Sequence, residues 1–70
     1  MNLTTVQVGE AYIIQEIKTG DAELNEFLFS LGCYSGELVT VISRRRGSCV
    51  ICVKDGRYCI DAQLAEAICV

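Results

Sequence analysis

The stretch CVICVKDGRYC, residues 49–59, decides how this chain is read. It holds three thiols, one pair at the C-x-x-C spacing used by zinc sites and redox dithiols. The same letters spell a β-hairpin, because Asp55-Gly56 is a strong two-residue turn signal between apolar runs. Counting outward from that turn pairs Lys54 with Arg57, Val53 with Tyr58, Cys52 with Cys59 and Ile51 with Ile60. Side chains alternate along a strand, so Cys49, Ile51 and Val53 share one face while Val50, Cys52 and Lys54 share the other. The face with Ile51, Val53, Tyr58 and Ile60 is the apolar one and is expected to be core. Cys49 and Cys52 then point in opposite directions, and Val50-Ile51 between them favour extended backbone over a metal-binding turn. Cys49 reads as a small core residue. Cys52 and Cys59 are expected to be direct cross-strand neighbours on the outer face, beside Lys54 and Arg57. They are the one thiol pair with scope for metal or redox sensing.

Around this hairpin the remaining chain supplies about five short strands and one inserted helix. Residues 11–18, AYIIQEIK, read as a strand in which Ala11, Ile13 and Ile17 alternate with more polar neighbours. Asp21 is a good N-cap, and Leu24, Phe27, Leu28 and Leu31 follow at i, i+3, i+4 and i+7. Gly32 then stands where a left-handed C-cap belongs, so a helix is expected over about 21–32. Ser35-Gly36 turns the chain into an alternating strand at 37–44, and Arg45, Arg46 and Gly47 form the loop to 48–54. The hairpin returns along 57–61. Asp61 caps a short helical turn near 62–66, and AICV makes a last strand. Short antiparallel strands in so small a chain close into a barrel rather than leave long edges open. The fold class is therefore mainly β, in one domain spanning 1–70.

Composition narrows function by exclusion. Seventy residues with 51% apolar content and no proline describe a small folded domain, not a disordered chain. Histidine is absent, which removes the commonest general base and transition-metal ligand together. A net charge of -3 argues against a general nucleic-acid binder. The apolar runs are too short to span a bilayer, and MNLTTVQVGE lacks the pattern of a signal peptide, so a cytoplasmic protein is expected. In that compartment the five cysteines are expected to be reduced, with Cys33 and Cys69 as packing residues. No phosphate-binding glycine loop and no acid–base constellation is visible, so the reading is of a non-enzyme without a cofactor.

Two features suit protein contacts. Arg44-Arg45-Arg46 is the one basic cluster, able to orient an acidic partner. Phe29 falls on the opposite side of the helix from Leu24, Leu28 and Leu31, where an aromatic forms an exposed patch or tucks against the barrel rim.

The order of these elements resembles the ferrous iron transport protein A (FeoA) family. The resemblance is carried by Val8-Gly9-Glu10 before the first strand and by the helix ending Leu28-Phe29-Ser30-Leu31-Gly32. It continues through Gly36-Glu37-Leu38-Val39-Thr40-Val41, the hairpin Val53-Lys54-Asp55-Gly56-Arg57 and the closing Gln63-Leu64-Ala65-Glu66-Ala67-Ile68. It implies an SH3-like barrel and an accessory role in bacterial ferrous iron uptake. The implied partner is the membrane transporter FeoB, through its cytosolic GTP-binding domain or its membrane part, with no direct membrane insertion. On that reading Leu28 and Phe29 make the contact and Arg44, Arg45 and Arg46 orient it. Val50 and Cys52 stand where such strands often carry charge, so the outer face offers a surface for weak self-association. The alternative is a thiol-based metal or redox sensor using Cys52 and Cys59.

Overall fold

The computed structural model describes all residues, 1–70. Its elements are β1 (Ala11–Ile13), β2 (Glu16–Ile17), α1 (Ala22–Leu31), β3 (Leu38–Arg45), β4 (Ser48–Val53), β5 (Gly56–Asp61), α2 (Ala62–Ala67) and β6 (Ile68–Cys69). Strands β1, β3, β4 and β5 form a four-stranded antiparallel sheet in the order β1-β3-β4-β5, and β2 pairs with β6. The two edge strands, β1 and β5, lead into β2 and, through α2, into β6. Because β2 and β6 pair with each other, the sheet is closed around its core and its edges are short.

Local signals explain both helices. The Asp21 carboxylate accepts from the N–H groups of Glu23 and Leu24, and Gly32 ends α1 in the left-handed region at φ 102°. Asp61 caps α2 in the same way through Leu64 N–H. An N-cap of this kind contributes about 1 kcal/mol. The apolar stripe of α1 is narrower than its spacing suggests. Leu28 is wholly buried, Leu24 and Leu31 are half-buried, and Phe27, at the margin of the stripe, stays 48% exposed.

The first expected strand is interrupted and its phase is reversed. Tyr12 and the buried Ile14 face inward, while Ile13 faces out. Ile14 is the crossing point between sheets: its N–H donates to Glu37 O, whereas the next residue, Gln15, donates to Cys69 O. A single continuous strand over 11–18 could not pair with β3 and β6 in turn.

The hairpin keeps its predicted faces but not its predicted partners. The turn residues are Lys54 and Asp55, with Lys54 at φ 51°, and Gly56 already belongs to β5 opposite Val53. Ile51 therefore faces Tyr58, and Cys49 faces Ile60. The register differs from expectation by two residues, and an even slip leaves every side chain on its original face. At Gly56 the Tyr58 ring folds over the Cα and occupies the space a Cβ would need.

A β-bulge in β3 has a larger effect. Register shifts between Val41 and Ser43, so Val41 pairs with Ile51 but Ser43 pairs with Val50 and Arg44 with Cys49. The inward alternation Val39, Val41 is thereby rephased onto Arg44. The core gathers Leu3, Val6, Ile14, Leu28, Cys33, Val39, Val41, Cys49, Ile51, Val53, Ile60, Ala65 and Ile68. No helix is long and apolar enough to cross a membrane.

Candidate functional site

The broadest recess is a groove of about 550 Å³ between the C-terminal end of α1 and the β4–β5 turn. Phe29, Gly32, Tyr34, Lys54 and Tyr58 are among its lining residues. α1 sets one wall because Leu28 anchors the helix in the core, which turns the next residue, Phe29, outward to 63% exposure. Phe29 packs on Tyr34, with ring centroids 4.9 Å apart and planes tilted by 36°. Lys54 reaches across from the turn. Its Nζ lies 5.2 Å from the centre of the Tyr34 ring and 3.3 Å from Glu37 Oε1. Hydrogen bonding with Tyr34 first, and with Glu37 second, raises the Lys54 pKa above its ordinary value. The Lys54 stem lies against Gly32, where a Cβ would come within 3.1 Å of Cγ. Gly32 is required for its positive φ, and a Cβ there would also press on the Lys54 stem.

Beyond Glu37 the surface stays apolar. Leu38 and Ile13 are cross-strand partners on the outer face of the sheet and are 54% and 52% exposed. Phe29, Tyr34, the Lys54–Glu37 pair, Leu38 and Ile13 make an exposed strip suited to a protein contact.

Of the residues expected to act at the surface, Phe29 alone lies in this groove. Leu28 is 0% exposed, so it supports the site from behind and cannot touch a partner. Arg44 is also spoken for. Its Nη2 donates to Leu3 O at 2.9 Å and to Val6 O at 2.8 Å, tying the N-terminal segment to the barrel. A small cavity of about 90 Å³ lies beside it, lined in part by Leu3, Cys49 and Ala65. Arg45 and Arg46 are exposed, but they close the opposite end of the β3–β4 hairpin. Neither lines the groove that Phe29 enters, so they and Phe29 do not share that site.

The thiols separate as well. Cys52 opposes Arg57, and Cys59 opposes Val50, so the two cysteines are diagonal neighbours and not a direct pair. Diagonal positions are about 7–8 Å apart, beyond the Cβ separation of a disulfide. All five thiols are free, with Cys33 and Cys49 buried and Cys59 exposed. Burial pushes the Cys33 thiol up to about 11. For Cys49 burial also raises the pKa, with Arg44 acting in the opposite direction. No three His, Cys, Asp or Glu side chains converge as metal ligands.

Sequence reasoning missed Tyr34, Lys54 and Tyr58 as parts of the groove. Nothing in their spacing joins them, since they come from a loop, a turn and β5.

Comparison with known proteins adds a family and a fold. A family model described as the FeoA domain matches residues 1–70. Among solved structures, an iron uptake regulatory protein (FeoA) superposes with a TM-score of 0.86 at 23% identity, covering 97% of this chain and 91% of that one. The FeoA of Stenotrophomonas maltophilia, complexed with zinc and described as a procaryotic SH3 domain protein, gives a TM-score of 0.83 at 16% identity. That match covers 97% of this chain and 86% of the other. A manganese-dependent transcriptional repressor gives 0.87 at 18% identity, covering 97% of this chain but 39% of the repressor. No curated protein sequence matches the chain. The fold is thus the SH3-like barrel that the strand order implies.

Proposed function

Starting from the fact that the chain belongs to the FeoA family, and is thereby associated with ferrous iron transport, we propose that it is a cytosolic accessory protein that binds the FeoB-type ferrous iron transporter. The observation that carries this reading is the exposed aromatic groove at the end of α1, anchored from beneath by Leu28 and presenting Phe29. An outward phenylalanine on a well-capped helix costs solubility and contributes nothing to the core, which suits a contact residue. The barrel acts as a rigid mount, and the contact shifts the transporter only as far as it prefers one transporter state over another.

The test is an NMR titration of isotope-labelled protein with the transporter's cytosolic domain under reducing conditions, repeated with Phe29→Asp. Shifts clustered on Phe29, Tyr34 and Lys54, with weakened binding by a folded Phe29→Asp variant, are the expected result. Equal affinity of that variant removes Phe29 and the groove from the contact.

A further inference from the structure

The charge around this groove specifies the chemistry of whatever covers it. From Thr19 through Ser43 the chain contains no lysine or arginine, while Asp21, Glu23, Glu26 and Glu37 all fall within that span. Asp21 is used as the helix cap and Glu37 is paired with Lys54. Glu23 and Glu26 are exposed and enter neither of the two ion pairs of the fold, Lys18–Glu16 and Lys54–Glu37. The last turn of α1 carries no basic residue of its own, and the cation beside its C-terminal end, Lys54, is already paired with Glu37.

These charges share a face with the exposed aromatic. Ala22, Glu26 and Phe29 are spaced i, i+4 and i+7, which places them on one outward stripe opposite Leu28, with Glu23 at its margin. Of the exposed cations, Arg45 and Arg46 are at the far end of β3 and Arg57 lies on β5 opposite Cys52, and none is paired with a carboxylate of the stripe. An apolar ring flanked by unpaired carboxylates is complementary to an apolar pocket with a cationic rim.

We propose that the outward face of α1 docks into an apolar pocket of the transporter rimmed by lysine or arginine, with Phe29 entering the pocket and Glu23 and Glu26 meeting the rim. This rests on the transporter reading above and adds the sign and place of the electrostatic contact. The acidic stripe sets the association rate and the register, and Phe29 supplies the desolvated anchor.

The experiment measures affinity for the full-length transporter of the same genome in nanodiscs of zwitterionic lipid, so that lipid charge plays no part. Wild type, a Glu23→Gln/Glu26→Gln double variant and an Arg45→Gln/Arg46→Gln double variant are compared at about 50 and about 300 mM salt. Neutralising the two glutamates is expected to weaken binding roughly three- to tenfold at low salt and far less at high salt. The arginine variant is expected to bind as wild type does. Equal or tighter binding by the glutamate variant at low salt overturns the cationic rim and leaves the transporter reading standing. Absence of wild-type binding at both salts overturns the transporter reading and this inference with it.

Discussion

Leu28 and Phe29 are successive residues of α1 with different environments: Leu28 is sealed in the core, and Phe29 stands in solvent over Tyr34. Adjacent helical positions are turned by about 100°, so one residue can hold the helix down while the next is displayed. Leu28→Ala is expected to cost about 2–5 kcal/mol in urea unfolding, through lost burial and a cavity. Phe29→Ala is expected to change stability by less than about 1 kcal/mol. Similar losses for both would mean that Phe29 is part of the packing and not a displayed residue.

Arg44 holds the N-terminal segment through two carbonyls, Leu3 O and Val6 O, whose own side chains are in the core. Arg44→Gln is expected to cost about 1.5–3 kcal/mol, the range for hydrogen bonds made by charged groups. Amide exchange should quicken in residues 1–8 before it quickens in β4 and β5. Unchanged protection of the N-terminal segment would show that Leu3 and Val6 hold it unaided.

Gly56 lies under the ring of Tyr58. Gly56→Ala is expected to push the ring off the strand and to destabilise the fold by about 1–3 kcal/mol. In a Tyr58→Ala background the same change should cost much less, since the clash is gone. A double-mutant cycle with no coupling would place the constraint in the backbone turn instead.

Cys33 gives the fold an alkaline limit. Its thiol is raised from 9.0 to about 11 because burial disfavours the thiolate. Between those values the native chain keeps a proton that the unfolded chain releases, so stability is full below about pH 9 and falls as pH rises through about 11. Cys33→Ala should show a shallower decline of denaturant midpoint with pH over that window. In native wild type, alkylation should reach the exposed Cys59 first and the buried Cys33 and Cys49 last. A decline as steep in the variant would assign the alkaline limit to other groups.

The sequence by itself determined the elements whose signals are local. Asp21 and Gly32 bounded α1, Asp61 capped α2, and the alternation Cys49, Ile51, Val53 marked the inward face of β4, because caps and periodicity are properties of neighbouring residues. The family resemblance rested on the same pieces. Only the tertiary structure decided where those pieces met. The bulge after Val41 set Arg44 opposite Cys49 with its guanidinium on the N-terminal carbonyls, and the hairpin turned at Lys54-Asp55, two residues off the expected register. That register separated Cys52 from Cys59, and the fold drew Leu3 and Val6 into the core from a segment with no visible periodicity. The groove joins Phe29, Tyr34 and Lys54 from three separate stretches of chain. Such contacts depend on how closed sheets share one interior, and no spacing within a single strand or helix encodes them.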